Sequence, residues 1–228
     1  MRQGKKAGSA QRREESLSPD RIVEASIALL DSSGEKGLTF RALSERLATG
    51  PGAIYWHIAS KNELLTAACD AIVADTMNAP VDGKTPKATL RALALAMFDA
   101  IDAHPWVGSA LTRAPGQLPM VRILERIGQP LRALGVPAEE EWATVSALLS
   151  YILGVGGQNA ANTHFAREQG LDRSNFLSEV SDVWSRLDPD EYPFTRSVAG
   201  QLRSHDDRAD FLAGIDLMLR GIKPARGR

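Results

Sequence analysis

One stretch, TFRALSERLATGPGAIYWHI at positions 39–58, constrains the fold more than any other part of the chain. Its first half predicts a short helix over residues 39–48, capped by Thr39, because apolar side chains recur on one face at i, i+3 and i+7. The helix is then broken at a turn. Gly50 suits a positive φ there, and Pro51 suits the first turn of a new helix. The pattern therefore predicts two short helices joined by a tight turn.

The second helix, predicted over residues 51–57, is too short to bury all of its large side chains. Its two isoleucines take the inner face, so three consecutive residues cannot all be buried: Tyr55, Trp56 and His57. A helix-turn-helix gives such residues a purpose, because its second helix lies in the major groove of DNA while neighbouring side chains contact phosphates.

Residues 18–72 resemble the DNA-binding domain of the tetracycline-repressor (TetR) family of transcriptional regulators. The motifs that carry the resemblance are GLTFRALS at 37–44 and YWHIASKNELL at 55–65. The turn departs from the family, which often has a longer aliphatic and a polar residue where this chain has Thr49 and Gly50. The resemblance implies an all-α fold, with an N-terminal three-helix helix-turn-helix DNA-binding domain and a larger C-terminal helical domain for effector binding and dimerisation.

Helix start and stop signals divide the chain into three parts. Residues 1–17 are predicted to form a disordered basic arm, or alternatively an arm that also contacts phosphate or the minor groove. Residues 18–77 form the DNA-binding domain. It begins with a helix capped by Ser18 that runs to about Ser32 and is ended by Gly34 and Gly37, and it closes with a linking helix opened by a Ser60/Glu63 capping box. Residues 78–228 are then expected to form the effector-binding and dimerisation domain that the resemblance implies.

The rest of the chain reads as helices separated by Gly/Pro turns, without a strand pattern or a repeat. We expect helices over residues 87–103, 106–113, 120–134, 138–165, 174–186 and 206–220. The third of these should be interrupted or bent at 128–130, and residues 187–203 read as loop-like with helical pieces. The chain is predicted to be all-α, with nine or ten helices.

Composition excludes several classes of protein. The single cysteine, Cys69, rules out an internal disulfide and points to the cytoplasm. The basic N-terminus lacks the apolar core of a signal peptide, and no apolar run is long enough to span a bilayer. One cysteine and four scattered histidines offer no zinc spacing. No nucleophile motif is readable either, so neither an enzyme, a metal nor a cofactor is predicted.

The charge is unevenly but weakly distributed. Residues 1–64 contain ten Lys/Arg and eight Asp/Glu, whereas residues 65–228 contain seventeen and twenty. Because phosphate neutralisation drives non-specific affinity for DNA, this modest excess predicts weak binding by charge alone. We therefore expect a homodimer that pairs two half-sites, with the interface on the helices at 138–165 and 206–220.

The resemblance also implies which residues contact DNA. Arg41 would face a base, often a guanine, while the small Gly52 and Ala53 allow close approach and contact with a thymine methyl group. Lys61 opposes the helix dipole in the first turn of its helix, which indicates an external phosphate. The predicted contacts are Thr39, Phe40, Arg41, Pro51, Gly52, Ala53, Tyr55, Trp56, His57 and Lys61. The competing interpretation is a solvated arginine and core aromatics.

For the second half, the resemblance implies a small effector in a helical cavity. Candidate residues are aromatic, Met, His and amide side chains: Phe98, His104, Trp106, Met120, Trp142, Tyr151, Gln158, Asn159 and Asn162, with His164 and Phe165 nearby. The alternative is core packing plus a solvated helix end.

Two function classes therefore remain. The sequence favours a ligand-responsive transcriptional repressor released from a palindromic operator by a small molecule. Its partners would be double-stranded operator DNA, the effector and a second copy of the chain, with no membrane. The alternative is a small-molecule-binding helical protein or enzyme in which the helix-turn-helix is incidental.

Overall fold

The computed structural model describes residues 17–81, 83–113, 116–168, 170 and 172–223. These residues form eleven α-helices and one 3-10 helix, and no strand occurs among them. The α-helices are α1 (Pro19–Gly37), α2 (Phe40–Arg46), α3 (Pro51–Tyr55), α4 (Lys61–Asn78), α5 (Pro86–Ala103), α6 (Trp106–Arg113), α7 (Leu118–Ala133), α8 (Ala138–Glu168), α9 (Arg173–Ser185), α10 (Pro193–Val198) and α11 (Asp207–Gly221). The 3-10 helix, Ala199–Ser204, follows α10 directly. The all-α prediction is confirmed.

Some helix limits differ from the sequence prediction. Helix α1 continues past Ser32 to Gly37, and it is interrupted at the predicted breaker Gly34, which has a φ of 62° and a ψ of −170°. Helix α7 is one element that runs through Pro130. Helix α10 and the 3-10 helix are the helical pieces in the loop-like segment. The predicted basic arm, apart from its last residue, lies outside the described residues.

Side-chain caps fix where many of the helices begin. Each cap is a Ser, Thr or Asp with an extended backbone whose side-chain oxygen accepts a hydrogen bond from an amide in the first turn. The capping residues are Ser18, Thr39, Ser60, Thr85, Asp172 and Asp206. The Ser18, Thr39 and Ser60 caps confirm the sequence prediction. Thr39 caps the first helix of the helix-turn-helix, and Ser60 caps the helix that follows the motif.

The N-terminal head, residues 17–59, is built on a small apolar core. Its buried side chains are Ile22, Leu30, Leu38, Leu43, Ile54 and Ile58. They come from α1, α2, α3 and the segments beside them, so the two short helices of the motif are held against α1. Each Å² of apolar surface that this packing removes from water contributes about 25 cal/mol to stability.

Helix α4 is shared by the head and the C-terminal half, residues 79–223. It packs against α1 of the head and against α5, α6 and α7. Two arginines of α7 fasten it further. Arg122 donates to both carboxylate oxygens of Asp70, at 2.7 and 3.3 Å, and Arg126 donates to the carbonyl of Met77 at 3.0 Å. A movement of α7 therefore acts on α4, which leads directly to the head.

The C-terminal half surrounds α5. This helix packs against α7, α8 and α11, and its residues Leu93, Met97 and Ile101 are fully buried. Helices α9 and α10 and the 3-10 helix pack mainly against one another. The C-terminal half thus consists of a packed bundle with a smaller helical group beside it.

Candidate DNA-binding surface and effector domain

The turn between α2 and α3 is closed by a Schellman motif. The Ala48 amide donates to the carbonyl of Glu45 at 3.3 Å, and the Thr49 amide donates to that of Ser44 at 3.0 Å. Ala48 takes the left-handed conformation of this motif with a φ of 49°, whereas Gly50 has a φ of −82°. The expectation that Gly50 carries the positive φ is wrong, because the end of α2 places the left-handed residue directly after its C-cap.

An alanine in the left-handed region is strained, so we expect Ala48→Gly to stabilise the protein by about 1 kcal/mol. The midpoint of thermal unfolding should rise by about 2–4 °C. The matched control is Ala53→Gly in α3, where the residue is helical and the same change should destabilise by about 0.5–1 kcal/mol. Differential scanning calorimetry measures both, and a loss of stability in Ala48→Gly would contradict the assignment.

Aromatic residues dominate the outer side of the motif. Tyr55 stacks on Phe40 with ring centroids 4.1 Å apart, which fixes the Tyr55 side chain at the end of α3. Tyr55 and His57 are exposed, and Trp56 is 90% exposed. An indole in water is costly to leave uncovered, so this surface is suited to contact another molecule.

The remaining predicted DNA contacts lie on the same head. Arg41 extends from the first turn of α2 into solvent, where it pairs with Glu45 at 3.0 Å across one helical turn. Pro51 and Gly52 are exposed at the start of α3, and a Cβ placed on Gly52 would meet nothing within 4 Å. Thr39 is exposed as a helix cap, and Ala53 is half-buried. These small residues leave the start of α3 open to close approach.

Lys61 has a partner within the protein. Its Nζ donates to the carbonyl oxygen of Glu35, at the C-terminal end of α1, over 2.5 Å. The expectation that only an external anion compensates this lysine is therefore wrong, because the carbonyl end of a helix dipole attracts a cation. The capping box is present in altered form. Ser60 accepts from the Glu63 amide at 3.2 Å, while the Glu63 side chain accepts from the Ala59 amide at 2.8 Å.

Two carboxylates of α1 bind side chains near α6. Asp31 Oδ1 lies 2.8 Å from His104 Nδ1 and accepts from Trp106 Nε1 at 2.7 Å. Glu35 accepts from Ser109 Oγ at 2.9 Å and from Arg113. The predicted effector candidates His104 and Trp106 therefore direct their polar atoms at the head, where they join it to the C-terminal half.

Two other effector candidates belong to a buried aromatic stack. Phe98 and Tyr151 both stack with Phe211, with ring centroids 4.5 and 5.5 Å from it. The Tyr151 hydroxyl also donates to the Phe211 carbonyl at 3.2 Å, and partial burial together with the charge of Asp210 raises the pKa of Tyr151. The sequence prediction did not include Phe211, because all its effector candidates lie between Phe98 and Phe165 and Phe211 lies on the last helix.

The other effector candidates are scattered. Met120 is buried, Trp142 is 70% exposed and Gln158 is exposed. Asn159 is buried and donates to Asp102 at 2.9 Å, but its own carbonyl oxygen has no partner. Asn162 is half-buried, Phe165 packs edge-on against Phe176, and the side chain of His164 lies outside the described residues.

None of the nine effector candidates lines either of two cavities that described residues form. A cleft of about 670 Å³ lies between the end of α1, α4, α6 and the start of α7, and a groove of about 240 Å³ lies between α5 and α11. One sequence pattern could have indicated the cleft. Lys61, Leu65 and Cys69 follow at i, i+4 and i+8, which places them on one stripe of α4.

In the part of the chain that the structure describes, no three His, Cys, Asp or Glu side chains come together in a way that could hold a metal ion. Within the same residues, no helix is both long and apolar enough to cross a membrane.

Comparison with known proteins agrees with this architecture on both sides of the linking helix. Residues 22–68 match the bacterial regulatory proteins of the tetR family, and residues 79–226 match the tetracyclin repressor-like C-terminal domain. The chain belongs to the TetR family. As a TetR-family protein it is a DNA-binding, ligand-responsive transcriptional regulator, with the helix-turn-helix in its head.

Individual relatives extend over nearly the whole chain. The transcriptional regulator SCO7222, a TetR from Streptomyces coelicolor, is 52% identical, with a TM-score of 0.81 over 90% of this chain and 97% of that one. An HTH-type transcriptional regulator of Saccharopolyspora erythraea is 27% identical over 92% of this chain and 86% of its own length. ActR of S. coelicolor, solved in complex with actinorhodin, shows the same fold at 21% identity, with a TM-score of 0.74 over 90% and 94% of the two chains. The TetR fold is therefore shared at both high and low identity.

Proposed function

We propose that this TetR-family regulator acts in the cytoplasm as a two-fold homodimer on a palindromic operator, and that a small molecule releases it. The observation that carries the proposal is the exposed outer side of the helix-turn-helix. Trp56 is 90% exposed there, and Tyr55, His57 and Arg41 are exposed too, with Arg41 paired to Glu45 across one helical turn. Aromatic and arginine side chains around an open helix start fit the major groove and its phosphates.

The length of α3 supports a dimer. Five residues, Pro51–Tyr55, make little more than one helical turn, so one head touches only a few base pairs. Two heads related by a two-fold axis double the contact, and half-sites about one turn of DNA apart follow from that geometry.

Exposed side chains on α8 and α11 support the predicted interface. Trp142 on α8 is 70% exposed and Leu217 on α11 is 63% exposed. Gly154 and Ala161 of α8 and Ala213 of α11 are also exposed, and small residues let a second helix approach closely. Stable dimers bury about 800 Å² on each partner, with a core richer in apolar atoms than the rest of the surface.

The test begins with selection of DNA from a random pool by the full-length protein. We expect an inverted repeat, and analytical ultracentrifugation at micromolar protein should give a dimer, both free and on that DNA. Leu217→Asp should shift the free protein to monomer and weaken operator binding more than about tenfold, because it places a charge at an apolar contact. Val121→Asp, at an exposed position of α7 outside the interface, is the control. A monomeric wild type would contradict the dimer, and a selected site without symmetry would contradict the operator.

Effector release is tested by thermodynamic coupling. A compound found by thermal shift, which detects stabilisation by mass action, is titrated by calorimetry against the protein with and without the selected DNA. We expect a coupling free energy of about 1–3 kcal/mol. DNA must lower the affinity for the compound by the same factor as the compound lowers the affinity for DNA. Equal affinities in the two titrations would show that the compound does not control DNA binding.

A further inference from the structure

The cleft between the head and the C-terminal half has an apolar floor and a cationic mouth. Its floor includes the buried side chains of Cys69 and Leu111 together with the half-buried Leu65. Two exposed cations from different helices, Lys61 of α4 and Arg113 of α6, line its mouth. A volume of about 670 Å³ falls within the range of small-molecule sites.

The charges at the mouth do not balance. Partial burial acts to raise the pKa of Glu35. Hydrogen bonds from Arg113 and Ser109 and the charges of Arg113 and Lys61 outweigh it, and they hold the pKa below its ordinary value. Glu35 is thus an anion that matches one of the two cations. Because Lys61 donates only to an uncharged carbonyl among its described contacts, one positive charge is left at the mouth.

The floor cannot supply an opposite charge. Burial, and secondarily the charge of Asp70, raises the pKa of the Cys69 thiol to about 12, so it remains a neutral, apolar part of the wall. Ala110 of α6 and Pro119 at the start of α7 are buried beside it. An occupant must therefore combine an apolar body with a single negative charge.

We propose that this cleft binds an amphipathic organic monoanion, with its anionic group at Lys61 and Arg113 and its apolar body against Leu65, Cys69 and Leu111. Such a ligand touches α1 and α4 on one side and α6 and α7 on the other. It therefore fixes the angle between the head and the C-terminal half. A carboxylate or sulfonate between two cations forms charge-assisted hydrogen bonds, which are stronger than neutral ones.

The effect on DNA rests on the proposed function. Lys61 is also a predicted phosphate contact, and a side chain held in the cleft by a bound anion cannot reach the DNA backbone. Ligand and operator then compete for Lys61. By fixing the angle of each head, the bound ligand also selects one spacing of the two reading heads in the dimer.

The test uses two probes of nearly the same shape, without DNA and with the full-length protein. 8-Anilinonaphthalene-1-sulfonate carries the anionic group, and N-phenyl-1-naphthylamine lacks it. Fluorescence titration should show that Lys61→Gln and Arg113→Gln each weaken the sulfonate about tenfold and leave the neutral probe within about twofold. Thr66→Trp, which fills the cleft from α4, should weaken both probes.

Lys87→Gln, which removes a cation from the separate groove between α5 and α11, is the matched control and should change neither probe. Lys61 and Arg113 are exposed, so their glutamine variants should fold, as circular dichroism checks. Unchanged sulfonate binding in both variants would overturn the cleft site, as would equal losses for the two probes or an equal loss in Lys87→Gln. Because no DNA is present, failure here leaves operator binding standing. A protein that binds the sulfonate in the cleft but selects no DNA would instead overturn the proposed function.

Discussion

Replacement of Phe211 by alanine should lower the free energy of unfolding by about 3–5 kcal/mol, the largest change in stability that we expect from one substitution. Phe211 is 1% exposed and stacks with both Phe98 and Tyr151, so alanine would leave a cavity beside two aromatic rings. The midpoint of thermal unfolding should fall by about 10 °C. Chemical denaturation with urea measures the free energy directly.

The control is Phe194→Ala, which removes the same side chain from a position that is 77% exposed. It should change stability by less than about 0.5 kcal/mol. The comparison also decides the role of Phe98 and Tyr151, which the sequence placed in an effector pocket. A Phe211→Ala loss no greater than that of the control would show that the aromatic stack is loosely packed and open to a ligand.

The largest change in recognition should come from Arg41→Ala. We expect specific DNA affinity to fall by about 1–3 kcal/mol and base choice to relax at one position in each half-site, because a planar guanidinium can bind guanine through two hydrogen bonds. Selection from a random DNA pool before and after the substitution measures both effects. Unchanged specificity would remove Arg41 from the reading residues.

Glu45→Ala provides the matched comparison. Arg41 pairs with Glu45 in the free protein. If Arg41 acted only through that pair, the two substitutions would have the same effect on DNA affinity. If Arg41 contacts DNA instead, Glu45→Ala should keep or raise affinity, since it removes a negative charge near the phosphates. The exposed pair itself contributes only about 0.3–0.5 kcal/mol to stability.

Local patterns predicted the head well. The Thr39 and Ser60 caps, the buried faces of α2 and α3 and the exposed Trp56 all follow from residues within a few positions of one another. The prediction for the turn was wrong because two nearby small residues, Ala48 and Gly50, are both candidates for the left-handed position. The length of α2 gives that position to Ala48 rather than Gly50, and helix limits are uncertain by a residue or two when read from sequence.

Contacts between distant parts of the chain were not predictable. Lys61 finds its acceptor at Glu35, and Asp31 finds His104 and Trp106 more than seventy positions away. No local period encodes such pairs. Likewise, the richness of residues 98–165 in aromatic and amide groups did not reveal which ones face a cavity, because burial in a core favours the same side chains.

Helix α4, which packs against both halves, also determines how the protein can be divided. A fragment that ends at Asn78 would keep this helix but lose α7, and Cys69, Val73 and Met77 would become exposed to water. Such a truncated head would fold poorly and tend to aggregate, and the remaining C-terminal half would lack helix α4. Heat or denaturant should therefore melt the two halves together in one transition, and proteolysis in the 79–85 segment should not release a stable DNA-binding fragment.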